Sequence, residues 1–446
     1  MSLDMQLLAQ GDMAARTTGD LSQERQEVLT CLELFAGPGG LALGVHNAGF
    51  RHLGLIEYEK AAAATLRENC KDPLGLDPTV VIERDARLVD YKPFAGKVDL
   101  LTGGPPCQPF SAGGHGKGPA DDRNMFPTLL DAVGAVLPRA VLAENVRGLT
   151  REKFGDYFGY IRKRLQFPLH KMRDGEEWRD HYRRLLVVKE TDFADAEQNR
   201  VGFQVVDAAD HGIPQRRHRV FILAIRRDLG FEPFYLDPTH DKATLLYEQW
   251  VTGTYWERYG LKPQGQVDAR DAKIVQTLRE GLFPFEGGVP WRTVRDVISN
   301  LPAPVGRGQE EMFVNHVQHP GARAYAKHKG SILDYPAKAL KAGGHGTPGG
   351  ENMLQMGQDE VRYFTTREAA RLQTFPDTWR FTGKWGACIK QLGNAVPADL
   401  ATVFAQILYE RLARVADITA PRQSRTPVAA HVGDALSVVP VGLSAH

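Results

Sequence analysis

One cysteine sits in an unusual collar. The stretch "GGPPCQPFSAGG" from Gly103 to Gly114 places Cys107 between Pro105, Pro106 and Pro109 and then runs into glycines. The prolines restrict the backbone, so the sulfur is held in place. A thiolate is the reactive form of cysteine, and neighbouring donors or positive charge favour it. The strap that follows, "SAGGHGKGPADDR", is glycine-rich enough to close as a lid and exclude water. A lone cysteine is ordinarily a small buried hydrophobe. The collar and strap turn that reading toward a covalent nucleophile at Cys107, while Cys31, Cys70 and Cys388 keep the ordinary one. None of the four has close ligand spacing, so neither a disulfide framework nor a metal site is expected.

A second group of residues could hold a nucleoside. "ELFAGPGGLALG" follows a short apolar run, and Gly37, Gly39 and Gly40 permit a tight turn and a close backbone approach. About twenty residues later, Glu57 ends a second apolar run, where a carboxylate can hold two ribose hydroxyls. Asp85, in "ERDARL", stands where a third strand would end and could accept from an adenine amino group. Two other readings stay open for the glycines: a strand–helix turn without ligand, or a dinucleotide site. The G-x-G-x-x-G spacing of the latter is missing, because Pro38 follows Gly37.

The elements that must position these groups alternate. Strand-like runs followed by helical ones, from "TCLELF" through "RHRVFILAIRRD", predict an α/β fold with a parallel sheet and right-handed crossovers. At 446 residues the chain exceeds one ordinary domain, and two lobes are expected. Residues 1–28 read as a leader, 29–227 as the first part of a catalytic domain, and 228–360 as a second, irregular lobe. Residues 361–415 return to the first lobe, and 416–446 form a Pro/Ala tail expected to be disordered. The segment 151–200 is an insert with an extra helix; Arg162, Lys163, Arg164, Arg183 and Arg184 read as a solvated face or as phosphate contacts. "TTREAARL" predicts a helix capped by Thr365 or Thr366 with Glu368 in its first turn. The net charge of +1 excludes a polycation, so nucleic-acid contact requires local basic patches. The apolar runs are too short for a bilayer span and no signal core is visible, so a cytoplasmic protein is expected.

Six motifs in order resemble the cytosine-C5 DNA methyltransferases: "LFAGPGG", "GGPPCQPFS", "ENV" (Glu144 to Val146), "QRRHR" (Gln215 to Arg219), "REAARLQTFPD" and "QLGNAVP". The resemblance implies a Rossmann-like S-adenosylmethionine-dependent methyltransferase sheet with a second irregular target-recognition lobe. It implies S-adenosylmethionine as methyl donor and cytosine in double-stranded DNA as acceptor. Phe35, Ala36 and the turn Gly37, Gly39, Gly40 would contact the cofactor. Glu57 would bind its ribose, Tyr58 pack on its adenine where the family often has tryptophan, and Asp85 with Ala86 receive the adenine edge. Pro106, Met125, Asn394 and Val396 would line the same site. Asp121 and Arg123 match the Asp-x-Arg of the family's closing loop.

In chemical terms, Cys107 would attack carbon 6 of the cytosine and push electron density to carbon 5. Glu144 would serve ring nitrogen 3, which requires a raised pKa. Arg217 would contact the base carbonyl. The target is stacked in a duplex and must be flipped out. Ser111, Gln215 and Arg219 are expected DNA contacts, Arg219 with a supporting role as the alternative. In "KAGGHGTPGGENM", Lys341, His345 and Asn352 could enter the major groove, or lie in a plain surface loop. The expected setting is a restriction-modification system or an orphan methylase, with a monomer as the working unit. Three other readings remain: a methyltransferase for tRNA cytosine, a DNA-binding regulator without catalysis, and a nicotinamide enzyme.

Overall fold

The computed structural model describes residues 28–106, 110, 119, 121, 123–281, 288–306, 308, 313–324, 329–343, 350–357 and 360–418. The leader and most of the tail, as well as Cys107, Ser111 and His345, lie outside the described residues.

The first lobe is built on seven strands. They are β1 (Thr30–Leu34), β2 (Arg51–Glu57), β3 (Val81–Glu83), β4 (Leu100–Gly103), β5 (Ala140–Val146), β6 (Asn199–Asp207) and, after the two-residue β7 (Gln215–Arg216), β8 (His218–Arg226). Their order is β3-β2-β1-β4-β5-β8-β6. β1 to β5 pair in parallel, as expected. β8 departs from the expectation: it runs antiparallel to both β5 and β6. The chain between Asp207 and His218 explains this, since it holds only a short 3-10 turn and β7 and is too short for a crossover helix.

Side chains alternate along each strand, and both faces are covered. Leu32, Leu34, Leu101 and Val141 pack with helices α3 (Phe126–Val136) and α4 (Gly155–Gln166). Cys31, Leu100 and Leu142 pack with α1 (Gly40–Asn47) and the final long helix Ala398–Ile418 on the opposite face. This double cover is why the strands read as continuous apolar runs. α2 (Lys60–Cys70) follows β2. The 151–200 insert contributes α4 and α5 (Trp178–Leu186); its Arg164 is buried and pairs with Asp131 of α3, and its Arg184 pairs with Glu176 within the insert.

Residues 228–360 hold short elements: α6 (Lys242–Tyr247), α7 (Thr254–Arg258), α8 (Ala272–Arg279), α9 (Val294–Ile298) and small strand pairs. They carry aromatic clusters of their own, such as Leu245, Tyr255, Trp256 and Trp291. The chain then returns through α10 (Thr366–Leu372), α11 (Trp385–Asn394) and α12 (Ala398–Ile418). Thr365, one of the two expected caps, is the N-cap of α10: its hydroxyl accepts from Glu368 N, and Glu368 accepts from Thr365 N at 2.9 Å. α12 lies so close to α1 that a Cβ on Gly44 would meet Ala401 Cβ at 2.4 Å. No helix among the described residues is long and apolar enough to cross a membrane.

Candidate active site

The parallel strands end on one edge of the sheet, and a cavity of about 500 Å³ opens there. Its walls come from the residues just after β1 (Phe35 to Pro38), β2 (Tyr58, Glu59), β3 (Arg84, Asp85, Ala86) and β4 (Gly104 to Pro106), with Glu57 and Glu144 at the ends of their strands. Met125, Asn394 and Val396 complete it. The sequence-expected cofactor residues therefore converge, Gly39 excepted. Gly39 faces Trp379 and Leu66 instead, at 2.7 and 2.9 Å from where a Cβ would stand.

The glycine turn serves two masters. Gly37 has φ +57°, with open space where a side chain would be, and its N–H donates to Glu57 Oε2 at 2.7 Å. Gly40 makes room for protein rather than ligand alone: Val396 O would lie 2.1 Å from its Cβ. The other Glu57 oxygen accepts from Glu59 N at 2.6 Å. Burial pushes the Glu57 carboxyl up, and these backbone donors oppose that. Asp85 accepts from both the backbone and the guanidinium of Arg87, which holds its carboxyl below the usual range. Tyr58 leaves its ring 72% exposed on the cavity wall.

At the other end stands Glu144. It is buried, and burial pushes its carboxyl up, opposed by Arg219 and Arg217. Arg219 Nε lies 2.7 Å from Glu144 Oε1, and both residues line the cavity. The structure places the two arginines in different surroundings. Arg217 is fully buried and does not line the cavity; its guanidinium donates to the carbonyls of Leu340, Gly393 and Ala395 at 3.1, 2.8 and 2.9 Å. Arg217 lies in the break between β7 and β8 and the returning chain covers it, whereas Arg219 lies within β8. Cys107 lies outside the described residues, and Pro105 and Pro106 lead up to it from β4. Asn145 donates from its amide to Pro105 O at 2.9 Å, tying the glutamate strand to the proline collar. Sequence reasoning quoted Asn145 within "ENV" without giving it a task.

Two residues expected at the DNA are buried. Gln215 is buried, donating to Leu372 O at 3.1 Å and accepting from Leu340 N at 3.0 Å. Asn352 is buried, with its amide on the backbone of Lys341 in both directions at 3.0 Å. Both hold backbone segments together. Lys341 is half-exposed and paired with Glu351. Arg123 lines the cavity and pairs with Asp121 at 2.7 Å.

A family model described as C-5 cytosine-specific DNA methylase matches residues 29–170 and 179–410. The chain is 31% identical over 396 residues to the type II methyltransferase M.PspPI of Psychrobacter sp. (strain TA137), covering 88% of this chain and 82% of that protein. It is 30% identical to M.Eco47II of Escherichia coli, covering 86% and 79% of the two chains. It is also 30% identical to M.Sau96I of Staphylococcus aureus, covering 85% and 75%. The chain belongs to the C-5 cytosine-specific DNA methylase family and is a DNA cytosine-5 methyltransferase.

Proposed function

We propose that the protein moves a methyl group from S-adenosylmethionine to carbon 5 of a cytosine flipped out of duplex DNA, through a covalent adduct with Cys107. The observation that carries this is the buried Glu144–Arg219 pair in the same cavity as Glu57, Asp85 and Tyr58. The cavity suits an adenosine-bearing ligand. Glu57 is fixed by two backbone N–H groups, Gly37 leaves open space, and the exposed Tyr58 ring offers a stacking face. When bound, the cofactor supplies an electrophilic methyl on a sulfonium.

The chain's own residues do the rest. The Cys107 thiolate adds to carbon 6, and its electron pair leaves the ring nucleophilic at carbon 5. Glu144, whose carboxyl burial pushes up, donates toward ring nitrogen 3 as negative charge develops there. Arg219, rather than Arg217, serves the base carbonyl beside it. After transfer, carbon 5 loses its proton, the C6–S bond breaks, and the thiolate is restored. The naming of the relatives as type II methyltransferases supports a place in a restriction-modification system beside an endonuclease of the same specificity.

The test is incubation with labelled S-adenosylmethionine and unmethylated genomic DNA, followed by mapping of 5-methylcytosine. Label confined to one short motif is the expected result. Label in tRNA alone would replace the substrate, and no transfer would end the reading. Cys107→Ala is expected to abolish transfer while cofactor binding stays near normal.

A further inference from the structure

We infer that Glu59 and Lys390 form a clasp across the mouth of the cofactor cavity that sets how fast cofactor and product exchange. This rests on the cofactor reading above.

The solvent-facing rim of the cavity includes Tyr58, Glu59, Arg87, Arg123 and Lys390. Arg87 and Arg123 each pair with a carboxylate two residues away, Asp85 and Asp121, and so span nothing. The pair Glu59–Lys390 is different. Lys390 Nζ lies 2.7 Å from Glu59 Oε2, joining the N-cap of α2 to α11 across 331 residues of sequence. The helix spacing explains why Lys390 reaches the rim. Ala387, Lys390, Gln391 and Asn394 recur at three- and four-residue steps, and all four line the cavity. At the other end, Glu59 N–H is bonded to Glu57 Oε1, so the clasp connects to the carboxylate assigned to the ribose.

The pair does not hold these elements together. Asn69 and Arg380 exchange two hydrogen bonds at 2.8 Å, and Thr382 bonds to Thr65 and Ala61 at 3.0 and 3.2 Å. With that fastening in place, opening the clasp leaves the walls standing. Both side chains are about half exposed, at 51% and 44%, where an ion pair adds little to folding and is screened by salt. Its consequence is then kinetic: a ligand leaving past this rim meets a bridge that must open.

The experiment follows release of S-adenosylhomocysteine by stopped-flow competition for wild type, Lys390→Met, Glu59→Gln and the charge-exchanged double variant E59K/K390E. Either single change is expected to speed release about two- to fivefold, the span of an exposed ion pair. The double variant is expected to return toward wild type. Raising salt from roughly 50 to 500 mM is expected to speed wild-type release and leave Lys390→Met unmoved. Release rates and salt dependence equal to wild type in both single variants would overturn the clasp while leaving the cofactor reading intact. Failure of wild type to bind S-adenosylhomocysteine at all would overturn the cofactor reading and the clasp with it.

Discussion

Two arginines two residues apart in "QRRHR" do different work, and nothing in their type distinguishes them. Arg217 ends on three backbone carbonyls; Arg219 ends on a carboxylate in a cavity. Their removal should therefore fail in different ways. Arg217→Ala leaves buried carbonyls without a donor and is expected to cost roughly 3–5 kcal/mol, read as a fall in the thermal midpoint. Arg219→Ala is expected to lower kcat, with a smaller fall in the midpoint because the Glu144 carboxyl left behind can take up a proton. If both variants lose activity with unchanged midpoints, the structural assignment of Arg217 is wrong. Glu144→Gln keeps the size of the side chain and removes the acid. It is expected to lower kcat by ~100-fold or more, the range of a positioned proton donor, with cofactor affinity little changed. An acid acting at ring nitrogen 3 also predicts that wild-type kcat falls as pH rises through the elevated pKa of Glu144.

At the scale of elements, α1 and the returning chain pack closely at two glycines. Gly40 touches Val396 O, and Gly44 touches α12. Gly40→Ala must push the Val396 backbone away, at a cost of about 1–3 kcal/mol. Since Val396 lines the cavity, weaker cofactor binding is expected together with a lower thermal midpoint. Calorimetric titration with S-adenosylhomocysteine and a melt on one preparation check both; a normal midpoint with lost binding would mean Gly40 serves the ligand alone. The glycines were legible as a turn from their spacing. That the returning chain also requires Gly40 was not, because Val396 lies more than 350 positions away.

For the whole molecule, buried titrating groups bracket the stable pH range. Burial pushes Glu33 up to about 8, with Thr102 donating to it at 3.0 Å. The folded state holds this proton more tightly than the unfolded chain. Its contribution is therefore full below the ordinary value of 4.5 and is lost as pH rises through about 8. His52 is pushed down to about 4 by burial, from 6.5. Below 6.5 the unfolded chain gains a proton that the folded protein refuses, so stability falls as pH drops toward 4, by about 3 kcal/mol from this group. Thermal midpoints across pH 4 to 9 should peak on the mildly acidic side of neutrality. Glu33→Gln is expected to flatten the alkaline limb, and an unchanged limb would show that Glu33 ionises freely in the fold.

What the sequence by itself determined is local or ordered along the chain. The α/β alternation, a threonine cap at Thr365 or Thr366, the proline collar and the motif order depend on neighbours within a few residues, and the convergence of Glu57, Asp85 and Glu144 follows from each lying near or just past the end of a parallel strand. Only the tertiary structure decided the reversal of β8, the different surroundings of Arg217 and Arg219, the burial of Gln215 and Asn352, and the meeting of Glu59 with Lys390. Each of these is fixed by a partner far away in sequence, and burial and hydrogen bonding to such a partner leave no periodicity at the residue itself.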